Sequence, residues 1–250
     1  MIYILGDSYS FGYNFWMDNK PRKELIYGYH LSKKLNMPLT NLSVPGSSNW
    51  RMARLLSALS LNKDDVVIIG WSAIERYEIP VTKHSLSPLD KVFDTYDQNF
   101  FEGPVPPYFS QWVEKTNNLY TRRVVYNTFN DQNTVLNRNF QKLNQTLFKD
   151  HLSLEYFNDM FCVLYKACLY QLKFSNTKFL MFNAWSSDVD EKSEYNIKEY
   201  LFGPKSNMTD VIRSENSKSK TKTASYWDEN EHKQVAEILY TKLKEYYDIV

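Results

Sequence analysis

Asp64-Asp65-Val66-Val67-Ile68-Ile69-Gly70-Trp71-Ser72 is the stretch from which the fold is most directly read. Val66 to Ile69 are four β-branched aliphatic residues with no polar residue in alternation, so the strand they form must be covered on both faces. Burial on both faces marks a central strand of a parallel sheet, with crossover helices above and below it. Upstream, Met1-Ile2-Tyr3-Ile4-Leu5 is a similar run that stops at Gly6-Asp7. Residues 22–35 carry Leu25, Ile26, Tyr29, Leu31 and Leu35 at helical spacing, and Leu39 to Val44 reads as a short strand ending at Pro45-Gly46. Asn49 to Leu61 places Met52, Leu55, Leu56 and Leu59 on one helix face. Strand, helix, strand, helix, strand in that order argues for a parallel sheet with crossover helices.

Downstream, residues 80–130 are rich in Pro, Tyr and Asn with weak periodicity, and they read as an irregular insertion. Helices are expected at about 134–148 and 152–173, the second with Leu154, Phe157, Phe161, Leu164 and Cys168 along a stripe. Lys178 to Asn183 is a further buried strand, and residues 205–223, rich in Ser, Lys and Thr, read as a mobile loop. Asp228 followed by Glu231 is a capping-box signature, which starts a final helix that buries Val235, Ile238, Leu239, Leu243 and Tyr246. The expected architecture is a single α/β domain over residues 1–250, a three-layer α/β/α sandwich with a mainly parallel sheet.

Composition narrows the function classes. A formal net charge of +1 supplies no field to recruit nucleic acid or an anionic membrane. No apolar run reaches the length of a membrane span, and the first residues read as a strand rather than a secretion signal. A soluble, cytoplasmic protein is expected. Cys162 and Cys168 sit six apart in a helical stretch and point to different faces, so free thiols are expected. No Cys/His cluster has zinc spacing, and no metal or organic cofactor is implied. The high aromatic content, 16%, is accounted for mainly by core packing, although Tyr and Trp also suit carbohydrate stacking.

With only 7 glycines in the chain, their places carry weight. Gly6-Asp7-Ser8 follows the first strand, Asn41-Leu-Ser-Val-Pro-Gly46-Ser-Ser-Asn49 the second, and Gly70-Trp71-Ser72 the third. In a parallel sheet those ends share one rim, where ligands bind. A serine in such a turn presents its hydroxyl while nearby backbone N–H groups face a developing oxyanion. Alone, Gly-Asp-Ser is as readily a polar turn into a helix; three such loops on one rim favour a site.

These blocks resemble the SGNH (GDSL-like) hydrolase family, with Gly-Asp-Ser after the first strand, Gly after the second and Gly-X-Asn after the third. The resemblance implies a flavodoxin-like sheet, Ser8 as nucleophile and oxyanion donor, and Gly46 as a second donor through its N–H. Ser72 stands where the family has Asn, and its shorter hydroxyl implies a weaker oxyanion hole. Gly70-Trp-Ser-Ala-Ile-Glu-Arg76-Tyr-Glu78 and Leu42-Ser-Val-Pro-Gly-Ser-Ser48 are similar to members from tailed bacteriophages; the likeness covers residues 1–78 and returns at 226–245. Arg76 would bind an anionic part of a substrate or pair with Glu75 or Glu78.

The family's fourth block supplies a His base and its Asp just before the last helix. Here it reads Thr223-Ala-Ser-Tyr226-Trp-Asp-Glu-Asn-Glu-His232-Lys-Gln-Val-Ala236. Alignment on His232-X-X-Val-Ala236 puts Tyr226 at the catalytic histidine and Thr223 or Ala224 at the aspartate. An alternative base is His232 itself, with Asp228 four residues earlier on the same helix face to orient it. His30, His84 and His151 are further histidines, of which His84 follows the third strand. Residues 214–223 read as a solvated loop in preference to a lid.

The resemblance implies hydrolysis of a carboxylic ester, such as an O-acetyl group on a carbohydrate, through an acyl-Ser8 intermediate. The alternatives are a catalytically impaired SGNH-like binding or structural module, as in a phage virion or host-interaction protein with a protein partner, and an acyl transferase.

Overall fold

A computed structural model describes residues 1–17, 22–74, 76–81, 92–94, 113–116, 120–125, 154–184, 198–201, 207–215 and 226–248 of the chain. In chain order the strands are β1 (Ile2–Leu5), β2 (Leu39–Asn41), β3 (Val66–Trp71), β4 (Tyr77–Val81), β5 (Val92–Asp94), β6 (Val113–Thr116), β7 (Tyr120–Val125), β8 (Lys178–Asn183) and β9 (Tyr200–Leu201). The helices are α1 (Ser8–Phe11), α2 (Tyr13–Met17), α3 (Arg22–Leu25), α4 (Tyr27–Leu35), α5 (Asn49–Ala58), α6 (Leu154–Phe174), α7 (Met208–Glu215) and α8 (Glu229–Tyr247).

Five strands form a wholly parallel sheet in the order β2-β1-β3-β8-β9. Ile2 pairs with Val66 and Leu5 with Ile69; Val66 in turn pairs with Lys178 and Trp71 with Asn183. As its unbroken apolar run requires, β3 is buried along its whole length. Val67, Ile69, Trp71, Phe179 and Met181 face one core shared with α5 and α6. Ile2, Ile4, Val66, Ile68, Leu180 and Phe182 face the other, shared with α4, α7 and α8. This is the three-layer α/β/α arrangement. The chain leaves β1 for β2 on one side and returns to β3 on the other, so the order reverses between β1 and β3. A crevice forms at the carboxyl ends of strands at such a reversal.

The structure departs from the sequence reading in three places. The helix expected over 22–35 is two helices, because Ile26 is extended (φ −81°, ψ 152°) and buried between them. From Tyr77 onward, β4 to β7 form a second sheet in the order β4-β7-β6-β5, with Pro80 in an edge strand, the place in a sheet that tolerates proline. Residues 205–223 are not all loop: α7 starts where the Asp210 N–H donates to the Asn207 side chain (2.8 Å) and buries Met208 and Ile212 completely. The Lys/Ser composition that suggested a loop begins only after that helix. The helix expected at 134–148, together with His84, His151, Thr223 and Ala224, lies outside the described residues. Cys162 and Cys168 are both free, and burial pushes the Cys168 thiol up to about 12. No described helix is long and apolar enough to cross a membrane.

Candidate active site

At the end of β1 the chain must turn sharply into α1, and two glycines make room for it. A Cβ on Gly6 would lie 2.2 Å from the Ser10 hydroxyl, and one on Gly70 would lie 2.8 Å from the same atom. Ser10 thus fills the gap between the first loop and β3, and its oxygen accepts from the Tyr27 hydroxyl (2.9 Å). Asp7 caps α1 by accepting from the Tyr9 N–H (3.1 Å), which leaves Ser8 as the first residue of the helix, buried in the rim.

The second loop is held by two asparagines. Asn41 donates to the Ser10 carbonyl (3.1 Å) and accepts from the Ser43 N–H (3.0 Å), tying loop two to α1. Asn49 accepts from the Ser72 N–H (2.9 Å) and donates to the Ser72 carbonyl (3.0 Å), a two-point clamp on the third loop. Between them Gly46 is left-handed (φ 73°), a conformation that favours glycine, and its N–H makes no hydrogen bond among the described residues.

Behind Ser8 lies a buried ionic triangle. Asp7 is fully buried and pairs with Arg76 (2.9 Å), and the Ser72 hydroxyl donates to the same carboxylate oxygen (3.0 Å). The Arg76 guanidinium also donates to the Ser72 oxygen. Burial pushes the Asp7 carboxyl up, against the pull of Arg76 and its hydrogen bonds. The Ser72 proton, which the resemblance would aim at an oxyanion, is directed to Asp7. Arg76, which the sequence offered to a substrate anion or to Glu75 or Glu78, has Asp7 as its ion-pair partner.

The fourth segment meets this rim through Tyr226. Burial pushes its phenol up, opposed by the nearby Ser8 hydroxyl. The Tyr226 ring lies 5.2 Å from that of Tyr9 and 4.9 Å from that of Tyr13. Burial raises both of these phenols too, Tyr9 to about 12. All three are therefore protonated and neutral at pH 7, able to donate hydrogen bonds and unable to serve as bases. Asn14 anchors the segment by donating to the Tyr226 carbonyl (2.6 Å) and the Trp227 carbonyl (3.3 Å).

His232 is one turn inside α8 and buried. Its Nδ1 accepts from the Tyr27 N–H (3.1 Å), and its ring stacks on Tyr27 and packs against Phe15 and Trp227. Burial pushes its pKa down to about 3. With Nδ1 accepting, the neutral ring carries its proton on Nε2. A triad base needs the reverse, with Nδ1–H held by a carboxylate and Nε2 open to the serine. The Asp228 carboxylate accepts from the Glu231 N–H (2.9 Å) while Glu231 accepts from the Asp228 N–H (2.7 Å), which is the capping box expected at that point. His30 lies half-buried on α4. Of the residues singled out in the sequence, Ser8, Ser72 and Arg76 come together around Asp7, and the Asn41 and Asn49 bonds tie the Gly46 loop to them. Tyr9, Tyr13, Asn14 and Asn49 were missed. Asn49 was visible at the end of the Gly46 loop and at the helix start but was given no role in the site; Tyr13 and Asn14 have no local signal, since α2 carries them to a segment 212 residues away.

Among the described residues no three or more His, Cys, Asp or Glu side chains group as metal ligands. No protein-family model matches the chain, and no curated protein matches it. Among solved structures it is similar to a carbohydrate esterase whose active site "displays divergent catalytic and non-catalytic binding functions", at 14% identity and a TM-score of 0.42. The match covers 99% of this chain and 65% of the esterase chain, so this protein spans less than two thirds of that one's length. At that level of similarity nothing about the site follows from it.

Proposed function

We propose that the chain is an SGNH-like module that binds a carboxylic ester, such as an O-acetylated carbohydrate, at the Ser8 rim without rapidly hydrolysing it. The observation that carries this reading is Tyr226: a neutral phenol, raised by burial and near enough to Ser8 to feel its hydroxyl, stands at the position where a hydrolase needs an imidazole. A serine hydroxyl becomes a nucleophile only when a positioned base takes its proton. His232, with Nδ1 bonded to the Tyr27 backbone, has the wrong tautomer for that task. The Ser8 and Tyr226 hydroxyls and the Gly46 N–H remain suited to hold an ester carbonyl. A phage virion or host-interaction setting, implied only by the likeness of residues 42–48 and 70–78, belongs to the same proposal.

A second reading, hydrolysis through an acyl-Ser8 intermediate, is favoured by the unpartnered Gly46 N–H, which has the makings of an oxyanion donor. A fluorophosphonate probe separates the two. The binding reading expects little labelling of the wild type, labelling at least about tenfold faster in Tyr226→His, and loss of that gain in Tyr226→His/Ser8→Ala. It also expects wild-type retention on an O-acetylated polysaccharide, abolished when the polysaccharide is deacetylated. Rapid wild-type labelling that Tyr226→Phe leaves unchanged would establish the esterase reading instead.

A further inference from the structure

α6 has two apolar faces, and the fold uses one. Phe157, Phe161, Cys168 and Leu172 are buried against the sheet and α5, and Leu164 is buried beside them. A quarter to a third of a turn away, Met160, Val163, Ala167, Tyr170 and Phe174 form a second row with alternating spacings of three and four. Val163 is 60% exposed, Tyr170 78% and Phe174 96%. Spacing of this kind keeps a straight seam along a helix and is the pattern of side chains that interlock with a neighbouring helix. A lone exposed apolar residue needs no explanation, but a seam about 20 Å long, from the rise per residue, does.

We infer that this seam is the contact surface of a homodimer in which α6 of one copy packs antiparallel against α6 of a second. The charges beside the seam select that occupant and that direction. Glu155, Asp159, Lys166 and Lys173 are exposed along a single flank, acidic toward the N-terminal end of the helix and basic toward the C-terminal end. Among the described residues none of the four has an ion-pair partner. In an antiparallel pair with Val163 of one copy beside Ala167 of the other, Met160 meets Tyr170, and the twofold axis passes near residue 165. Glu155 and Asp159 then lie opposite Lys173 of the second copy, twice over by symmetry, while Lys166 lies near Lys166 of the second copy at the axis, one like-charge contact against those attractions. A parallel pair would turn this flank toward the partner's opposite flank, where Leu164 and Gln171 offer no charge to pair with. The antiparallel pair also opposes the two helix dipoles.

Sedimentation equilibrium of the full chain over a concentration series tests this. The wild type is expected to be a dimer, and Val163→Lys, which places a charge in the middle of the seam, to raise the dimer Kd roughly tenfold or more with the thermal melt of the monomer fold retained. Asp159→Lys is expected to raise Kd roughly threefold to tenfold, and Asp159→Lys/Lys173→Asp, which exchanges the signs, to restore it. A wild type that stays monomeric overturns the inference and leaves the seam to a different partner. So does a dimer indifferent to Val163→Lys, which would be joined elsewhere. Failure of the exchanged pair to restore association rules out the antiparallel arrangement.

Discussion

Around Ser8 the first three loops are joined to one another by short polar side chains, whereas the segment 226–232 reaches the same rim through aromatic rings. Asp7, Asn41, Asn49, Ser72 and Arg76 make bonds with fixed partners and directions, most of them buried. Tyr226, Trp227 and His232 pack against Tyr9, Tyr13, Phe15 and Tyr27. A polar stitch fails when either member changes, because the other is left buried and unpaired. A ring contact is less particular about chemistry and accepts another flat side chain of similar size. The difference bears on the proposed function: a phenol in place of an imidazole at 226 would leave the bonds among the first three loops untouched, because those bonds hold the frame and ring contacts hold the segment.

The contrast breaks most sharply at Arg76. Arg76→Ala should cost about 3 kcal/mol in urea unfolding, since it strands the buried Asp7 carboxylate. Arg76→Gln combined with Asp7→Asn should recover part of that loss, because no charge then remains buried. A cost below about 1 kcal/mol for Arg76→Ala would mean that the triangle does not hold the loops together.

On the aromatic side, His232→Ala should cost about 2 kcal/mol, from lost ring packing and the unpaired Tyr27 N–H. His232 also makes stability depend on pH. Its folded pKa of about 3 lies below the ordinary 6.5, so the unfolded chain binds a proton that the folded chain refuses. That contribution is complete above pH 6.5 and declines as pH falls toward 3, with a slope approaching about 1.4 kcal/mol per pH unit. His232→Gln, which can still accept from Tyr27 but does not titrate, should flatten the curve between pH 6.5 and 4.5. An unchanged slope in that variant would place the acid sensitivity elsewhere.

The smallest effect is expected where the two kinds of attachment meet. Asn14→Ala removes the bonds to the Tyr226 and Trp227 carbonyls and should cost about 1 kcal/mol. If it also raises the accessibility of Ser8 to the fluorophosphonate, Tyr226 is held over the serine by Asn14 and not by ring packing alone.

The sheet was legible because its signal is local: Val66–Ile69 and Phe179–Phe182 can be buried on both faces only at the centre of a parallel sheet, and the Asp228–Glu231 box starts its helix within four residues. The loops at the strand ends were legible for the same reason. What could not be read is which neighbour each polar group would choose. Ser72 was read as an oxyanion donor, but its hydroxyl is taken up by Asp7, and that competition exists only after the two loops meet. His232 has a carboxylate four residues before it, yet α8 turns it toward the Tyr27 backbone. α7 was hidden by the Lys/Ser run that follows it, although Asn207 and Asp210 already spelled its start. β4 to β7 left too weak an alternation to be seen.

The Ser10 hydroxyl occupies the space that a side chain on either Gly6 or Gly70 would need, and Tyr27 holds it there. Loop one therefore cannot slide past the third strand without first expelling this small wedge. Thermal opening of either part involves both, so the rim breathes as a block and not loop by loop. A ligand arriving at Ser8 meets a shape that is already set, and it gives up little of its binding energy to ordering the protein around it.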